Sequence, residues 1–521
     1  MSAYIGIDLG TTFSAAATLD ETGRLVMIKN PDEQRSDNLL PSAVWVEGDE
    51  LIVGEEARKR HQNKSSGGVA SGDGAAGFKK DMGDSKMYKL ADKAYSPTDL
   101  SAAVLKKLKM IAEKQVGDVV EAVVTTPANF SNEAREETMA AARKAGLNSR
   151  NISNEPTAAA LYYAATEGQN MRGTYAVYDL GGGTFDVSII RIDGENIEVL
   201  ASNGVKKLGG DYFDEALIEL VADKFKQETG RDINQNPDNL DYRLSDAEAD
   251  KISLSNQQTV LAGGGESIDG HIIKVTRSAL EEKISSYIAQ TEMLCESTVE
   301  DAGLTMSDIQ GVLLAGGSTR MPWVSRSIQK VFGKEPIVKA NVDEVVALGA
   351  AFYVAYKNYD KLTPTQQEFI DSVIKKGGVQ ERTSKYYGII SLEYDEARET
   401  AVLVNSIIIH KGEKIPCSQT KTFFTVTDGQ TSVNCKVTES DRPVTHVASV
   451  DDIVVAKKLL GNLPPNRSSG QKIEVTFSYD ENQTMRYSFV DIETGLEVGG
   501  SVHPTKDSGD SASDLGKILV D

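Results

Sequence analysis

Two short segments of the chain resemble each other and carry the residue types of a phosphate site. The first is IDLGTT at residues 7–12, and the second is YDLGGGT at residues 178–184. Glycine lets successive backbone N–H groups converge on an anion, and threonine adds a hydroxyl at the same place. Two ordinary hairpin turns with capping aspartates are the alternative. Two copies with matching flanks favour the phosphate site.

An aspartate ends the strand before each glycine turn, Asp8 in the first copy and Asp179 in the second. Two carboxylates beside phosphates are chemically reasonable when a hard cation such as Mg²⁺ lies between them. Each turn also stands between two β-patterned runs, so each copy is predicted to form strand, turn and strand.

Two further charged residues are candidates with open alternatives. Lys79, in the segment 78–83, could reach toward the phosphates, although the residues alone favour a solvated surface lysine. Glu155 stands directly before the small-residue helix predicted over 158–166. A carboxylate there either stabilises the helix N-terminus or belongs to an active site at a strand end.

The second half of this region carries the same kind of chemistry. A helix over 245–255 places Glu248, Lys251 and Ser255 on one face, which on the residues alone favours a solvated face. A buried strand is then followed by the segment GGSTR at 316–320, a third glycine turn that suits a nucleotide.

One motif is rejected. Residues 64–77 are rich in Gly, Ser and Ala and contain a formal G-x-G-x-x-G from Gly72 to Gly77. No apolar strand precedes this motif and no helix clearly follows it, so we predict a flexible loop and no dinucleotide site.

Composition bounds the class of protein. The 521 residues correspond to about three to four domain-sized units. Fifty-six basic against 77 acidic residues give a net charge of -21, which argues against nucleic-acid or anionic-membrane binding as the main activity. Three cysteines without a C-x-x-C pair support neither a disulfide framework nor a zinc ribbon. With no signal peptide or membrane-span pattern, a soluble cytoplasmic protein is expected.

Four segments follow from patterning. Residues 1–358 are predicted to form an α/β domain of two lobes that share a cleft. Residues 359–384 form a linker with a short amphipathic helix, which a capping box at Thr363 begins. Residues 385–502 have period-two patterning typical of an all-β domain, and residues 503–521 are expected to be a disordered tail.

Several motifs together are highly specific. GIDLGTT at 6–12, NEPTAAA at 154–160, DLGGGTFDVS at 179–188, LGGDYFD at 208–214 and AGGSTRMP at 315–322 stand in the order and nearly the spacing of one family. The chain resembles the heat-shock protein 70 family of ATP-driven chaperones, strongly over about residues 3–356 and more loosely over 386–500. This resemblance implies an actin-like two-lobed ATPase domain followed by a sandwich-like, all-β peptide-binding domain.

The resemblance also implies roles for the candidate residues. Lys79 would support the attacking water, with Glu155, Asp179 and Thr184 as further catalytic residues, while Asp8, Asp179 and Asp186 would serve the metal site. Residues on the turns and on both sides of the base would bind ATP or ADP: Gly10, Thr11, Thr12, Gly181, Gly182, Gly183, Gly209, Gly210, Glu248, Lys251, Ser255, Gly316, Gly317, Ser318, Arg320 and Asp343. Mg²⁺ is the expected metal, and K⁺ is a candidate second ion. The peptide-binding positions would be Ile389, Leu392, Phe423, Val426 and Val433.

Three departures from the family pattern affect the expected mechanism. The short leucine-rich acidic linker is replaced by the helix at 363–376, which predicts altered coupling between ATP and peptide binding. Only about twenty residues follow the β domain, so no helical lid is expected. Residues Glu393 to Leu403 lengthen a predicted loop beside the peptide cleft.

The favoured function is a slow ATPase and chaperone that binds unfolded or extended apolar peptides, with a J-domain co-chaperone and a nucleotide exchange factor as possible partners. The alternative is a nucleotide-stabilised scaffold subunit that docks one partner protein and has little ATPase activity. A sugar kinase on the same fold is disfavoured, because such kinases carry no appended β domain.

Overall fold

The computed structural model describes most of the chain and groups it into two compact units. Its described residues are 2–30, 38–65, 72–167, 171–233, 242–265, 268, 270–338, 341–395, 399–445, 453–481 and 483–501. Among the described residues, the first unit contains residues 2–128 and 137–379, and the second contains residues 129–136 and 380–501. The predicted disordered tail at 503–521 lies outside the described residues.

The elements alternate between strands and helices up to residue 379 and are almost entirely strands beyond it. The strands of the first part are β1 (Ser2–Asp8), β2 (Phe13–Leu19), β3 (Leu25–Met27), β4 (Leu40–Pro41), β5 (Ala43–Glu47), β6 (Glu50–Val53), β7 (Asp73–Ala76), β8 (Tyr88–Leu90), β9 (Lys93–Tyr95), β10 (Asp118–Thr126), β11 (Ile152–Asn154), β12 (Gly173–Leu180), β13 (Thr184–Ile192), β14 (Ile197–Lys206), β15 (Thr259–Leu261), β16 (Lys274–Thr276), β17 (Ile309–Ala315), β18 (Pro336–Ile337) and β19 (Val379–Gln380).

The α-helices are α1 (Glu55–Ser65), α2 (Pro97–Val116), α3 (Asn132–Lys144), α4 (Glu155–Glu167), α5 (Gly210–Thr229), α6 (Leu244–Asn256), α7 (Arg277–Lys283), α8 (Ser285–Asp301), α9 (Pro322–Phe332), α10 (Val345–Lys357) and α11 (Pro364–Val373). The last strands are β20 (Tyr386–Asp395), β21 (Thr400–Ile409), β22 (Cys417–Phe424), β23 (Val433–Ser440), β24 (Val454–Leu460), β25 (Lys472–Tyr479), β26 (Met485–Asp491) and β27 (Glu497–Ser501).

Two sheets of the first unit repeat one topology. The first runs β11-β10-β1-β2-β3, and the second runs β18-β17-β12-β13-β14-β19. In each, one strand pairs in parallel with a later strand and antiparallel with the next one, as β1 does with β10 and β2 and as β12 does with β17 and β13. This duplication confirms the predicted strand, turn, strand repeat and defines two lobes.

Small residues let α4 and α10 pack closely beside the sheets. A methyl group added at Gly349 of α10 would lie 1.7 Å from the Ala158 carbonyl oxygen of α4, and one added at Gly6 of β1 would lie 2.0 Å from the Ala351 nitrogen. Both helices enter one buried apolar cluster that also contains Val123, from a strand of the first lobe. The central helices therefore connect the two lobes through direct backbone approach.

The expected linker helix forms, and the first unit holds it. Thr363 accepts a hydrogen bond from the Gln366 nitrogen, while the Gln366 side chain accepts one from the Thr363 nitrogen, so the capping box is present. The apolar side chains of Ile370 and Val373 are buried in the same cluster as α4 and α10.

The second unit is a two-sheet β-sandwich. Its antiparallel sheets run β21-β20-β23-β24 and β22-β25-β26-β27, and side chains of both enter one apolar core. The loop expected over Glu393 to Leu403 is wrong, because β20 continues to Asp395 and β21 starts at Thr400, with Leu392 opposite Leu403. Residues 396–398 lie outside the described residues, and the other residues of this segment extend the antiparallel pair of β20 and β21.

The flexible loop expected over 64–77 is also partly wrong. Residues 66–71 lie outside the described residues, but β7 pairs with β5 and α1 reaches Ser65. No dinucleotide-binding helix follows the G-x-G-x-x-G motif, since a short 3-10 helix occupies Phe78–Asp81. Of the helices in the described residues, none is long and apolar enough to cross a membrane.

Candidate functional site

One cavity of about 560 Å³ in the first unit gathers most of the predicted nucleotide and metal residues. The predicted residues that line it are Asp8, Gly10, Thr11, Thr12, Lys79, Glu155, Asp179, Gly181, Gly182, Thr184, Gly210, Glu248, Lys251, Ser255, Gly316, Gly317, Ser318, Arg320 and Asp343. Residues more than 300 positions apart therefore meet in one place.

The two glycine turns that resemble each other face one another across this cavity. A methyl group added at Gly182 would lie 1.9 Å from the Thr12 hydroxyl oxygen, and one at Gly183 would lie 2.8 Å from Thr11 Cγ2. The Thr12 hydroxyl also donates to Asp211 Oδ1 at 3.2 Å. Only glycine fits at these positions of the second turn, because the threonines of the first turn occupy the adjacent space.

The third glycine turn completes the ring around the cavity. The Gly181 carbonyl oxygen accepts hydrogen bonds from the Gly210 nitrogen at 3.0 Å and from the Ser318 hydroxyl at 2.9 Å. Gly316 has φ +83°, and a methyl group there would lie 2.8 Å from Asp179 Oδ1. Gly183 and Gly209 are not among the lining residues. Gly183 packs against Thr11, and Gly209 packs against the carbonyl oxygens of Gly181 and Gly182.

Lys79 lies at the inner end of the cavity. The 3-10 helix Phe78–Asp81 holds it, only 4% of its surface is exposed, and its ammonium contacts Glu155 Oε1 at 2.5 Å. Burial alone would lower the pKa of Lys79, but Glu155 and Asp8 outweigh that effect and raise the pKa above its ordinary value. The solvated-surface alternative for this lysine is therefore wrong.

Carboxylates surround this lysine and shift one another's protonation. Removal from bulk water, together with Glu155, raises the pKa of Asp8 to about 7. Removal from water also raises the pKa of Asp179 well above its usual range, with Glu155, Asp186 and Asp8 adding to the effect. Asp186 is the cross-strand neighbour of Asp179 and lies behind it, outside the cavity lining.

This charge distribution fits a bound cation. Several mutually repelling carboxylates face one lysine, and removal from water, together with this repulsion, raises the pKa values of Asp8 and Asp179. Among the described residues, no three His, Cys, Asp or Glu side chains converge closely enough to ligate a metal directly. Mg²⁺ bound here would therefore keep water and phosphate oxygens as ligands, as it commonly does in nucleotide sites.

Helix α6 forms one wall of the cavity. Lys251 donates to the Gly210 carbonyl oxygen at 2.9 Å and to Asp214 Oδ2 at 2.7 Å. Glu248 is paired with Arg58 of the first lobe, and both side chains are mostly buried. The alternative of a solvated helix face is therefore wrong for Glu248 and Lys251. The third residue of this face, Ser255, donates its hydroxyl to the Lys251 carbonyl oxygen at 3.3 Å.

The opposite wall is more exposed. Arg320 donates to Asp343 Oδ2 at 2.7 Å and also to Asn341 Oδ1, so two partners hold its guanidinium in place. Its side chain is 53% exposed, so it remains accessible to a ligand in the cavity.

Sequence reasoning missed a further group of lining residues, which are mostly apolar or lie beside residues that it named: Phe13, Leu39, Glu55, Asp211, Asp214, Ile252, Asn256, Met321, Asn341, Val342 and Val346. One signal was available in the sequence. Residue 252 lies four positions after Glu248 and three before Ser255, which places it on the same helix face.

The predicted peptide-binding residues separate into two groups. Ile389 is buried in the sandwich core, and Phe423 and Val433 pack partly buried against that core. Leu392 and Val426 are 47% and 57% exposed. The structure therefore leaves two of the five side chains open at the surface of the second unit.

The cavity as a whole can hold a phosphate chain between glycine turns, a cation among carboxylates, and a positioned lysine beside both. Such a site can polarise and orient a water molecule for attack on a phosphoryl group. A family model described as Hsp70 protein matches residues 4–519, which is nearly the whole chain.

Proposed function

The chain belongs to the Hsp70 family, and from this membership we propose that it is a chaperone that binds and hydrolyses Mg-ATP in the cavity of its first unit. Members of the family are generally ATPases and bind ATP or ADP with Mg²⁺. The observation that carries the proposal is the buried contact of 2.5 Å between Lys79 and Glu155 beside the facing glycine turns.

The chain's own residues would each have a limited task in phosphoryl transfer. The backbone N–H groups and hydroxyls of the glycine turns bind and orient the phosphate chain. Lys79, held by Glu155, positions the attacking water and offsets charge that develops on the transferred group. When bound among Asp8, Asp179 and Glu155, Mg²⁺ supplies neutralisation of the phosphate charge, and we assign a candidate second ion such as K⁺ to Asp186.

Single-turnover and steady-state ATPase assays test this assignment. Lys79→Ala and Thr184→Ala should each lower turnover by about a hundredfold or more, because each removes a contact needed in the transition state. Lys89→Ala is the matched control, since Lys89 is exposed outside the cavity and its removal should leave turnover unchanged. If both site variants bound Mg-ATP and turned over like the unmodified protein, the catalytic assignment would fail.

We also propose that the second unit binds extended apolar peptide segments by strand-like hydrogen bonding and side-chain contacts. The exposed Leu392 and Val426 support an apolar binding surface. Fluorescence anisotropy with an unstructured apolar peptide measures this binding. Leu392→Asp should weaken it, whereas Lys457→Asp, at an exposed position of β24, should not.

The linker segment supports altered coupling between the two activities. The Gln366 side chain donates to the Leu19 and Asp20 carbonyl oxygens of the first lobe at 3.0 and 3.1 Å. Farther along, the linker contacts Glu195 and Ile197 of the second lobe. The Lys375 nitrogen donates to the Glu195 carbonyl oxygen, and the Gly378 carbonyl oxygen accepts from the Ile197 nitrogen. Because both lobes hold this segment, we propose that it responds to their relative movement and replaces the usual short linker.

The same attachment favours a second candidate function, a nucleotide-stabilised scaffold that docks one partner protein and has little ATPase activity. Release of a prebound apolar peptide on addition of ATP separates the two candidates. A chaperone cycle predicts faster release with ATP than with ADP. Equal release rates, together with negligible turnover, would favour the scaffold.

A further inference from the structure

A carboxylate of the second lobe reaches the glycine turns of the cavity. Asp211 is the second residue of α5 and is one of the residues that line the cavity. Its Oδ1 accepts a hydrogen bond from the Thr12 hydroxyl at 3.2 Å, and a methyl group added at Gly182 would lie 2.9 Å from the same oxygen. Asp211 therefore borders both glycine turns, at the place where the proposed function puts the phosphate chain.

The backbone fixes Asp211 at this place. The Asp211 nitrogen donates to the Gly182 carbonyl oxygen at 2.8 Å, and the Gly210 nitrogen donates to the Gly181 carbonyl oxygen at 3.0 Å. These two bonds hold the start of α5 against the second turn. The carboxylate can therefore leave Thr12 by rotation of its side chain, without a shift of the helix.

This carboxylate opposes a bound phosphate in two ways. A threonine hydroxyl has one hydrogen to donate, and Asp211 accepts it from Thr12. A phosphate oxygen can accept that hydrogen only after Asp211 has released it. The carboxylate also repels a phosphate group, because both are negatively charged.

Lys80 of the first lobe offers the displaced carboxylate another partner. A methyl group added at Gly77 would lie 3.7 Å from Lys80 Nζ and 3.9 Å from Asp211 Oδ2, so the two charged groups border one small space. Rotation of the side chains into this space would form an ion pair that joins the lobes. Release of Asp211 from Thr12 therefore need not leave the carboxylate without a partner.

We propose that Asp211 competes with the phosphate chain for the Thr12 hydroxyl and thereby lowers the affinity of the cavity for nucleotide. The nucleotide-free protein keeps the hydrogen bond between Thr12 and Asp211, and a bound phosphate replaces it. This inference rests on the proposed function, because it requires a nucleotide whose phosphates occupy the glycine turns. Asp211 acts on affinity and leaves the phosphoryl chemistry to other residues.

Calorimetric titration with Mg-ADP tests the competition. Asp211→Ala removes both the acceptor and the charge and should tighten binding about threefold to tenfold. Asp211→Asn keeps an acceptor oxygen but not the charge, so it should give a smaller gain. Glu215→Ala is the matched control, since Glu215 is an exposed carboxylate on the same helix that does not line the cavity. A purely structural role of Asp211 predicts the opposite sign, a loss of affinity.

A double-mutant cycle tests whether the competition acts through the hydroxyl. Thr12→Val removes the hydroxyl and keeps the shape of the side chain. In that background, Asp211→Ala should tighten Mg-ADP binding less than it does in the unmodified protein, because the hydrogen bond is already lost. Equal gains in the two backgrounds would overturn the competition for the hydroxyl.

The outcomes separate this inference from the proposed function. Unchanged or weaker Mg-ADP binding in both Asp211 variants, beside normal binding by the unmodified protein, would overturn the inference and leave nucleotide binding intact. Failure of the unmodified protein and of both variants to bind either Mg-ADP or Mg-ATP would overturn the proposed function itself, and the inference with it.

Discussion

The inner end of the cavity concentrates negative charge around one lysine. Glu155 is the nearest partner of Lys79, while Asp8 and Asp179 retain raised pKa values in spite of that lysine. A folded protein tolerates such a cluster when a ligand completes it, because buried like charges otherwise favour protonation. The carboxylates of Asp8 and Asp179 therefore suit a bound cation, and protons compete with that cation for them.

The raised pKa of Asp8 predicts how pH affects stability and ligand binding. The folded carboxyl, with a pKa of about 7, keeps its proton where an unfolded aspartate, with a pKa of about 4, has lost it. Between these values the folded state binds more protons, so this group lowers the free energy of unfolding of the nucleotide-free protein as pH rises. Mg-ADP affinity should increase over the same interval, because the cation needs the ionised carboxylate.

Thermal unfolding between about pH 5 and pH 8, with and without Mg-ADP, measures both effects. The increase in midpoint given by Mg-ADP should grow with pH and should flatten in Asp8→Asn. A ligand-induced increase that is the same at every pH in both proteins would contradict this assignment.

Gly349 shows how one residue fixes the approach of two helices. A methyl group there would meet the Ala158 carbonyl oxygen at 1.7 Å, so Gly349→Ala must push α10 away from α4. We expect a loss of about 3 kcal/mol or more in the free energy of unfolding, measured by chemical denaturation. Gly461→Ala is the control, because its added methyl group meets no atom within 4 Å and should be tolerated.

At the scale of elements, α11 is short but well anchored. Its capping box fixes the N-terminus, and its apolar stripe packs into the cluster that joins α4 and α10, with Phe369 edge-on to Phe352 at 5.8 Å. Most stability of a helix of this length comes from packing of its apolar face. The linker is therefore structurally part of the first unit.

Ile370→Ala tests that view of α11. The substitution removes a side chain that is 1% exposed and should lower the free energy of unfolding of the first unit by about 2 to 4 kcal/mol. Glu368→Ala, on the exposed side of the same helix, should change it by less than about 0.5 kcal/mol. Denaturation of the first unit is monitored through the loss of Mg-ADP binding. Equal effects of the two substitutions on the free energy of unfolding would show that α11 does not pack as described.

At the scale of the whole molecule, the first unit is a duplicated sheet whose two copies enclose the ligand cavity. The lobes meet through the central helices and through side chains at the cavity entrance. Arg58 of the first lobe pairs with Glu248 of the second, and its guanidinium lies 5.1 Å from the Phe13 ring centre. Under the proposed function, such contacts would slow the release of a nucleotide held between the lobes.

Arg58→Ala should therefore speed the release of Mg-ADP by about three- to tenfold, because a partly buried ion pair that joins the lobes is lost. Stopped-flow displacement of a fluorescent ADP analogue measures the rate. Lys59→Ala is the matched control, since its side chain is 46% exposed and pairs only within α1, with Glu55. A release rate in Arg58→Ala equal to that of the control would show that the Arg58–Glu248 pair does not slow the release of Mg-ADP.

Local pattern in the sequence was sufficient for much of this architecture. Alternating apolar residues and glycine turns predicted the repeated strand, turn, strand units, and Thr363 with Gln366 predicted the start of α11. These features depend on backbone preferences and on contacts between residues close in sequence, which local residue types specify directly. The motifs of the three glycine turns also predicted the family, which the match over residues 4–519 confirms.

Tertiary structure alone decided which side chains meet. In the sequence, Lys79 and Arg58 resemble ordinary surface residues. Only folding brings Lys79 against Glu155 and Arg58 against Glu248. Ile252 gave only an ambiguous helical signal, because an apolar residue on a helix face usually belongs to a core. Burial, charge pairing and exposure to a cavity are properties of segments distant in sequence, so they were fixed only when the two lobes packed together.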